Sequence, residues 1–384
     1  MHDIALFLSG GYFELILSMR SGSCVMKKYQ SVVLVVAVLV LVSACLLDPK
    51  PFDEAAWRRN VDAMRTADLY KEHEHNGVFF NPWLENTRGF GGLIRWQLSI
   101  RETYSEEAET LLPESVPDLM NRIGQLPPEQ DFLVWIGHGT FLLRIDSIYF
   151  LTDPILSQRA LVPKRRTQAA MNMAELAAFT SPLHVVISHN HYDHLDVSTI
   201  KRLPYQAHIH APLGLQKYLQ RYHDGKVEEY DWWDEKQFGN WKLTCLPAQH
   251  WSLRFGQGRD KTLWASFMIE AGDKVIYFGG DSGYFVGYRE FGRLYPRIDY
   301  ALMPTTAYHP RWFMHYPHMN VEEAVKAFHD LGAEYFIPSQ WGTFKLGDDP
   351  PGLAVLDLQR IIQQQGLEAK RYLLPELGEI VMLR

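Results

Sequence analysis

Short apolar runs, several of them alternating with polar positions, recur along the chain and are separated by polar or glycine-containing turns. Phe132 to Ile136, Leu142 to Leu151, His184 to Ser188, His208 to Ala211, Trp264 to Glu270 and Tyr300 to Met303 read as strands, too short and too rich in branched and aromatic side chains for helices. The segment from Trp241 to Pro247 alternates as a half-buried strand, and Lys274 to Phe278 forms another that stops at glycines. Between these runs, Asp196 to Arg202, Val321 to Leu331 and Leu353 to Gln364 have helical patterns. Asn320 with Glu323 makes a cap pattern for the second. Strands alternating with helices predict an α/β domain of two sheets flanked by helices, with functional residues at strand ends along one edge.

The chemistry lies at those strand ends. Ser188-His189-Asn190-His191-Tyr192-Asp193-His194-Leu195-Asp196 follows the apolar stretch Leu183 to Ile187. Positions i and i+2 of an extended chain share a side, so His189 and His191 can grip one ion while Asp193 and His194 are directed to a second. Imidazole and carboxylate are the donors zinc accepts, and two ions about 3.5–4 Å apart can activate a water between them. Two distant strand ends supply more donors. His250 follows the Trp241 strand and is a candidate third imidazole for the first ion. Asp281, in Gly279-Gly280-Asp281-Ser282-Gly283, follows the Lys274 strand and is a candidate bridge between both ions.

The order His-x-His-x-Asp-His, a lone His, then Gly-Asp-Ser-Gly resembles the metallo-β-lactamase superfamily. Phe80-Asn81-Pro82-Trp83, Trp135 to Thr140, Leu151 to Ile155, Gln249-His250-Trp251, Tyr308 to Met314 and Trp341 to Phe344 narrow the resemblance to N-acylphosphatidylethanolamine-hydrolysing phospholipase D. The resemblance runs from about Val78 to the C-terminus. It implies an αβ/βα sandwich of two mixed sheets and a zinc-dependent phosphodiesterase with two metals. It also implies a role near the reacting atoms for Asp193, Asp281 and His318. The family's last metal-binding histidine is replaced by Gln340, whose amide is a weaker zinc donor. The second site is then expected to be looser, to hold another divalent ion, or to be dispensable; His315 or His318 is a substitute ligand. A lactonase or amidase, or a degenerate envelope lipoprotein, is the alternative reading.

The front of the chain addresses its location. Met26-Lys27-Lys28, the apolar run Ser31 to Val42, and Val42-Ser43-Ala44-Cys45 form a secretory signal with a bacterial lipoprotein cleavage pattern. The apolar run falls short of the ~20 residues a spanning helix needs. Met26 is the expected start and Cys45 the lipid-bearing residue; Leu46 after it favours the outer membrane. An uncleaved anchor is the rival reading. The expected division is a signal at 1–45, a linker and charged helical lead-in at 46–77 that spaces the domain from the membrane, and a hydrolase domain at 78–384.

The 384 residues, 47% hydrophobic, suffice for one large core, and a net charge of −7 argues against a nucleic-acid partner. The expected partner is a lipid or small phosphodiester. Of three cysteines, only Cys245 remains in the expected mature chain, as a small buried apolar group. Lys164-Arg165-Arg166 and Arg311 are candidates for holding phosphate oxygens. Tyr308, Trp312, Phe313 and Tyr316 are candidates for lining an acyl-chain path.

Overall fold

The structure, a computed structural model, describes residues 51–384; the signal segment, Cys45 and the first linker residues lie outside the described residues. The described residues divide into two units, 90–101 and the remainder. Among the described residues no helix is long and apolar enough to cross a membrane.

The larger unit opens with α1 (Glu54–Asp62), capped by the Asp53 side chain. The smaller unit holds α2 (Phe90–Leu98), a helix with no buried residue.

Two sheets follow. The first contains β1 (Phe132–Gly137), β2 (Thr140–Ile145), β3 (Ile148–Thr152), β4 (Leu183–Val186), β5 (His208–Pro212), β6 (Val227–Tyr230) and the C-terminal β13 (Ile380–Met382), in the order β13-β1-β2-β3-β4-β5-β6. The second contains β7 (Glu235–Phe238), β8 (Trp241–Leu246), β9 (Ser266–Ala271), β10 (Lys274–Phe278), β11 (Tyr300–Pro304) and β12 (Tyr335–Ser339), in the order β12-β11-β10-β9-β8-β7. Each sheet is antiparallel at one end and parallel at the other: β3 to β6 run parallel in the first, β10 to β12 in the second.

Period-two alternation sorts each strand's side chains between layers. In β1, Leu133 and Trp135 join the large core containing the second sheet, whereas Phe132, Val134 and Ile136 join a separate cluster on the opposite face. Helices α3 (Gly287–Leu294), α4 (Val321–Leu331) and α5 (Leu353–Gln365) accompany the second sheet, and α4 and α5 each give the large core four or more buried apolar residues. The Asn320–Glu323 capping box is present, and Gly332 ends α4 in the left-handed region at φ 65°.

The expected single strand Leu142 to Leu151 is instead a hairpin. Asp146 and Ser147 both have positive φ, 48° and 64°, the tight-turn conformation whose twist matches paired strands. Short polar residues adopt it readily, so the apolar periodicity on either side concealed the turn. β6, β7, β12 and β13 lack strong apolar alternation in the sequence and acquire strand geometry from their neighbours.

The lead-in, expected to act as a spacer, is part of the domain. Trp57 and Val61 of α1 lie in the large core, and the Trp57 indole donates a 2.7 Å hydrogen bond to Glu323. Trp57→Ala should therefore cost roughly 3–5 kcal/mol of unfolding free energy in a urea titration. A loss below about 1 kcal/mol would show α1 to be a dispensable arm.

Candidate metal centre

Strand ends of both sheets deliver the site. β4 runs into Ser188 and His189, β8 into His250, and β10 into Gly280 and Asp281. Gly280 has φ 57°, and a Cβ there would lie 2.6 Å from the Ser188 Cβ. The turn that presents Asp281 thus sits directly against the one that presents His189.

His189, His250 and His194 each have one nitrogen committed outward and one turned inward. His189 Nδ1 is 2.9 Å from Ser188 Oγ, whose hydroxyl donates to Asp153; His250 Nδ1 is 3.1 Å from the Pro317 carbonyl; His194 Nδ1 is 2.6 Å from Asp153 Oδ2. With the proton on Nδ1, each Nε2 keeps a lone pair for a cation. His191 presents Nδ1 instead, 2.8 Å from His189 Nε2 and 3.1 Å from His250 Nε2. Nitrogens sharing a tetrahedral zinc at ~2.0–2.1 Å lie roughly 3.3 Å apart, so this convergence fits an ion. Burial keeps all three imidazoles neutral, with His191 lowered to about 4. Neutral nitrogen is the form that binds metal.

Asp281 faces two ways. Its Oδ2 is 3.8 Å from His189 Nε2 and 3.6 Å from His250 Nε2, while its Oδ1 is 3.2 Å from His194 Nε2. His194 Nε2 is also 3.1 Å from Asp193 Oδ2. Burial pushes His194 toward neutrality, yet Asp281, Asp193 and Asp153 outweigh it and hold the pKa well above the usual value. Positive charge is demanded between those carboxylates, and a bound cation meets that demand. Burial raises Asp193 and Asp281 in turn, but the surrounding histidines hold both well below the usual carboxylate range.

The second group contains a residue the sequence reading did not single out. His138, after β1, has Nε2 2.9 Å from Asp193 Oδ2, and His138, Asp193 and His194 form a potential metal-holding group. The signal was available: Gly137-His138-Gly139 follows a strand, as Gly280-Asp281 does. Asp153 was likewise visible only as part of a motif, and it orients both His194 and Ser188.

Gln340 sits at the centre, but its placement differs from that expected of a metal donor. Its amide nitrogen donates to Asp281 Oδ1 at 2.6 Å, and its oxygen accepts from Thr306 at 3.1 Å. An amide NH₂ has no lone pair for a cation. His138, Asp153 and Gln340 all have positive φ, at 55°, 29° and 75°. Such conformations cost about 1–3 kcal/mol each and persist where the surroundings fix them; here the Gln340 N–H donates to the His138 carbonyl.

His318 lies behind this pair. Its Nδ1 is 4.0 Å from Asp281 Oδ2 and has no hydrogen-bond partner; burial lowers its pKa to about 4. His315 is turned away, with Nδ1 2.8 Å from the Arg311 carbonyl and its ring against Phe52 and Trp57.

Two of the sequence candidates for phosphate binding, Arg165 and Arg311, are engaged elsewhere. Arg165 is buried and donates to the carbonyls of Ile155 and Ser157, and Arg311 pairs with Glu323 at 2.9 Å. Tyr308 and Tyr316 are core residues, their hydroxyls bonded to Asp357 and Asn81. The cation that does approach the centre is Arg88, about 5.5 Å from the ring centroids of Trp251, Phe313 and Tyr316. Its charge reaches His250 and His318. Cys245 is buried, as expected, with its thiol pKa pushed up.

Residues 149–341 match the family described as a beta-lactamase superfamily domain. The chain belongs to the metallo-β-lactamase superfamily. Among its relatives, an N-acyl-phosphatidylethanolamine-hydrolyzing phospholipase D of Caenorhabditis elegans is 32% identical over 82% of this chain and 94% of that protein. An uncharacterized protein of Mycobacterium tuberculosis is 35% identical over 68% of this chain and 70% of its own length. The structure of a metallo hydrolase from the archaeon Ignicoccus hospitalis superposes with a TM-score of 0.52 at 21% identity, covering 66% of this chain and 99% of that one. This metallo-β-lactamase fold protein is thus a metal-dependent hydrolase whose two donor groups face one carboxylate.

Asp153→Asn should weaken metal retention about 10- to 100-fold, because the neutral amide no longer fixes His194 in its Nδ1–H form. Metal content after dialysis against a chelator series measures this. Retention equal to the unsubstituted chain would show that Asp153 does not orient the centre.

Proposed function

We propose that this chain is a phosphodiesterase of the phospholipase D type, acting on N-acylphosphatidylethanolamine-like lipids with two zinc ions. The observation that carries this reading is Asp281, with one oxygen toward His189 and His250 and the other toward His194. A carboxylate shared in this way suits a paired-metal centre, and the C. elegans relative supports a lipid phosphodiester as substrate. His189, His191 and His250 would hold one ion, Asp193 and His194 the other, with Asp281 between them and His138 beside Asp193. Bound divalent ions supply an acidified water and offset charge on phosphoryl oxygens.

The chain's own residues do the rest. Asp193 and Asp281 remain anionic and fix the centre. Arg88 attracts the phosphate along the aromatic wall of Trp251, which packs against His191 with centroids 4.8 Å apart. His318, neutral with a free Nδ1, donates to or takes a proton from a substrate oxygen. Water oxygen joins phosphorus, the bond from phosphorus to the headgroup oxygen breaks, and the departing alcohol takes a proton. The proposed setting is the periplasmic face of the outer membrane, through lipid on Cys45.

The test is phosphatidate release from an N-acylphosphatidylethanolamine, run beside bis(p-nitrophenyl) phosphate and a lactone panel. Turnover of lactones alone would replace this reading with a carbonyl hydrolase. Asp281→Asn should lower kcat by roughly 10²–10³-fold, and Gln340→Ala, which removes one neutral donor, by less. Equal losses would assign Gln340 a role in the reaction itself. Arg88→Ala should raise KM for the anionic lipid with metal content unchanged; an unaltered KM would remove Arg88 from substrate binding.

A further inference from the structure

A second cluster of histidines lies on the first sheet, at a different set of strand positions from the catalytic centre. His184 is on β4, His208 and His210 on β5. In the parallel register His184 pairs with His208 and Val186 with His210. Since i and i+2 share a face, all three imidazoles emerge on one side. Their ring centroids lie 4.1–5.5 Å apart.

The cluster is walled by aromatics. Trp241 meets the His184 ring edge-on at 4.4 Å, and Phe238 lies within 6.1 Å of all three rings. One potential ligand atom from each histidine can be chosen so that all lie within 4.8 Å of one another. His184 Nδ1 approaches His210 Nε2 to 3.0 Å, inside the 2.8–3.1 Å range of the catalytic triad. His210 Nδ1 is 2.8 Å from the Tyr230 hydroxyl, an outward partner that fixes the ring and leaves Nε2 for the cluster. His208 Nε2 is buried without a hydrogen-bond partner, and Glu228 Oε1 lies 3.5 Å from it. Lys226 and Lys236 oppose a cation here: both pair with Glu228, Lys236 at 3.3 Å. Burial holds His184 and His208 at about 4 and pushes His210 well below its usual value, so the imidazoles are neutral donors.

We propose that His184, His208 and His210 form a separate site for a divalent transition ion, zinc or copper in class, with Glu228 as an available fourth ligand. Three neutral nitrogens select such ions over magnesium or calcium, which prefer oxygen. The ion would clip β4 to β5, and through Glu228 to β6. It takes no part in hydrolysis.

The experiment uses the full chain, saturated with Zn²⁺, freed of loose metal and counted by elemental analysis. The unsubstituted protein should retain one equivalent more than His208→Gln, with equal hydrolase activity and a higher Tm in the unsubstituted protein. Folding damage cannot mimic the second arm: Lys236→Met removes one of the two opposing charges and one of the two ion pairs that engage Glu228, and should tighten the extra equivalent several-fold in a competitive chelator titration. Equal metal content in His208→Gln and the unsubstituted chain would overturn the site and leave the cluster as three neutral histidines packed among aromatic rings. So would an extra equivalent whose affinity is unmoved by Lys236→Met.

Discussion

The arrangement around Asp281 rests on one constraint: a carboxylate with almost no access to water must remain ionised. Burying an unpaired anion is prohibitively costly, and here the cost is offset by the Gln340 amide, which donates to it, by His194, whose pKa the neighbouring carboxylates raise, and by the cation that the facing lone pairs of His189 and His250 are placed to share with it. Each of those partners is itself held from behind, His189 by Ser188, His194 by Asp153, His250 by Pro317 and Gln340 by Thr306. Specificity for a cation is therefore a property of two nested layers, and the positive-φ residues His138, Asp153 and Gln340 mark where the backbone bends to build them.

Much of this was legible in the sequence, for a physical reason. Strand-end donors such as His189, His191, His250 and Asp281 carry a double signal, a residue type suited to metals and a place where an apolar run stops. Buried strands and the capped helix α4 were equally plain, because burial and capping act over a few neighbouring residues. What escaped were features set by contacts distant in sequence. The Asp146–Ser147 turn sits within an apolar stretch whose alternation continues on both sides. α1 looks like a charged spacer until Trp57 reaches Glu323 across 266 positions. His138 carries a local mark, glycines on either side after a strand, but only its approach to Asp193 shows what it serves, and Asp153 is marked by no more than its place in a strand-end motif.

The cations show the same limit. Arg165 and Arg311 are conspicuous as sequence features, but the guanidinium of each is engaged by carbonyls or carboxylates of the fold. Arg88, which follows an undistinguished turn, lies over aromatic rings beside the centre. A guanidinium on an aromatic face keeps its charge while forgoing a carboxylate, so it retains the capacity to meet an anion from outside.

The docking of α1 has a consequence for reach. Asp53 caps a helix fixed to the core, so if lipid is carried on Cys45 as proposed, only residues 46–52 connect membrane and domain. A stretched residue spans at most ~3.3–3.6 Å, which makes this leash about 25 Å, less than the thickness of the bilayer itself. An enzyme so tethered patrols a thin layer at one surface. It meets lipids by two-dimensional diffusion, and substrates dissolved farther away reach it only by coming to that surface.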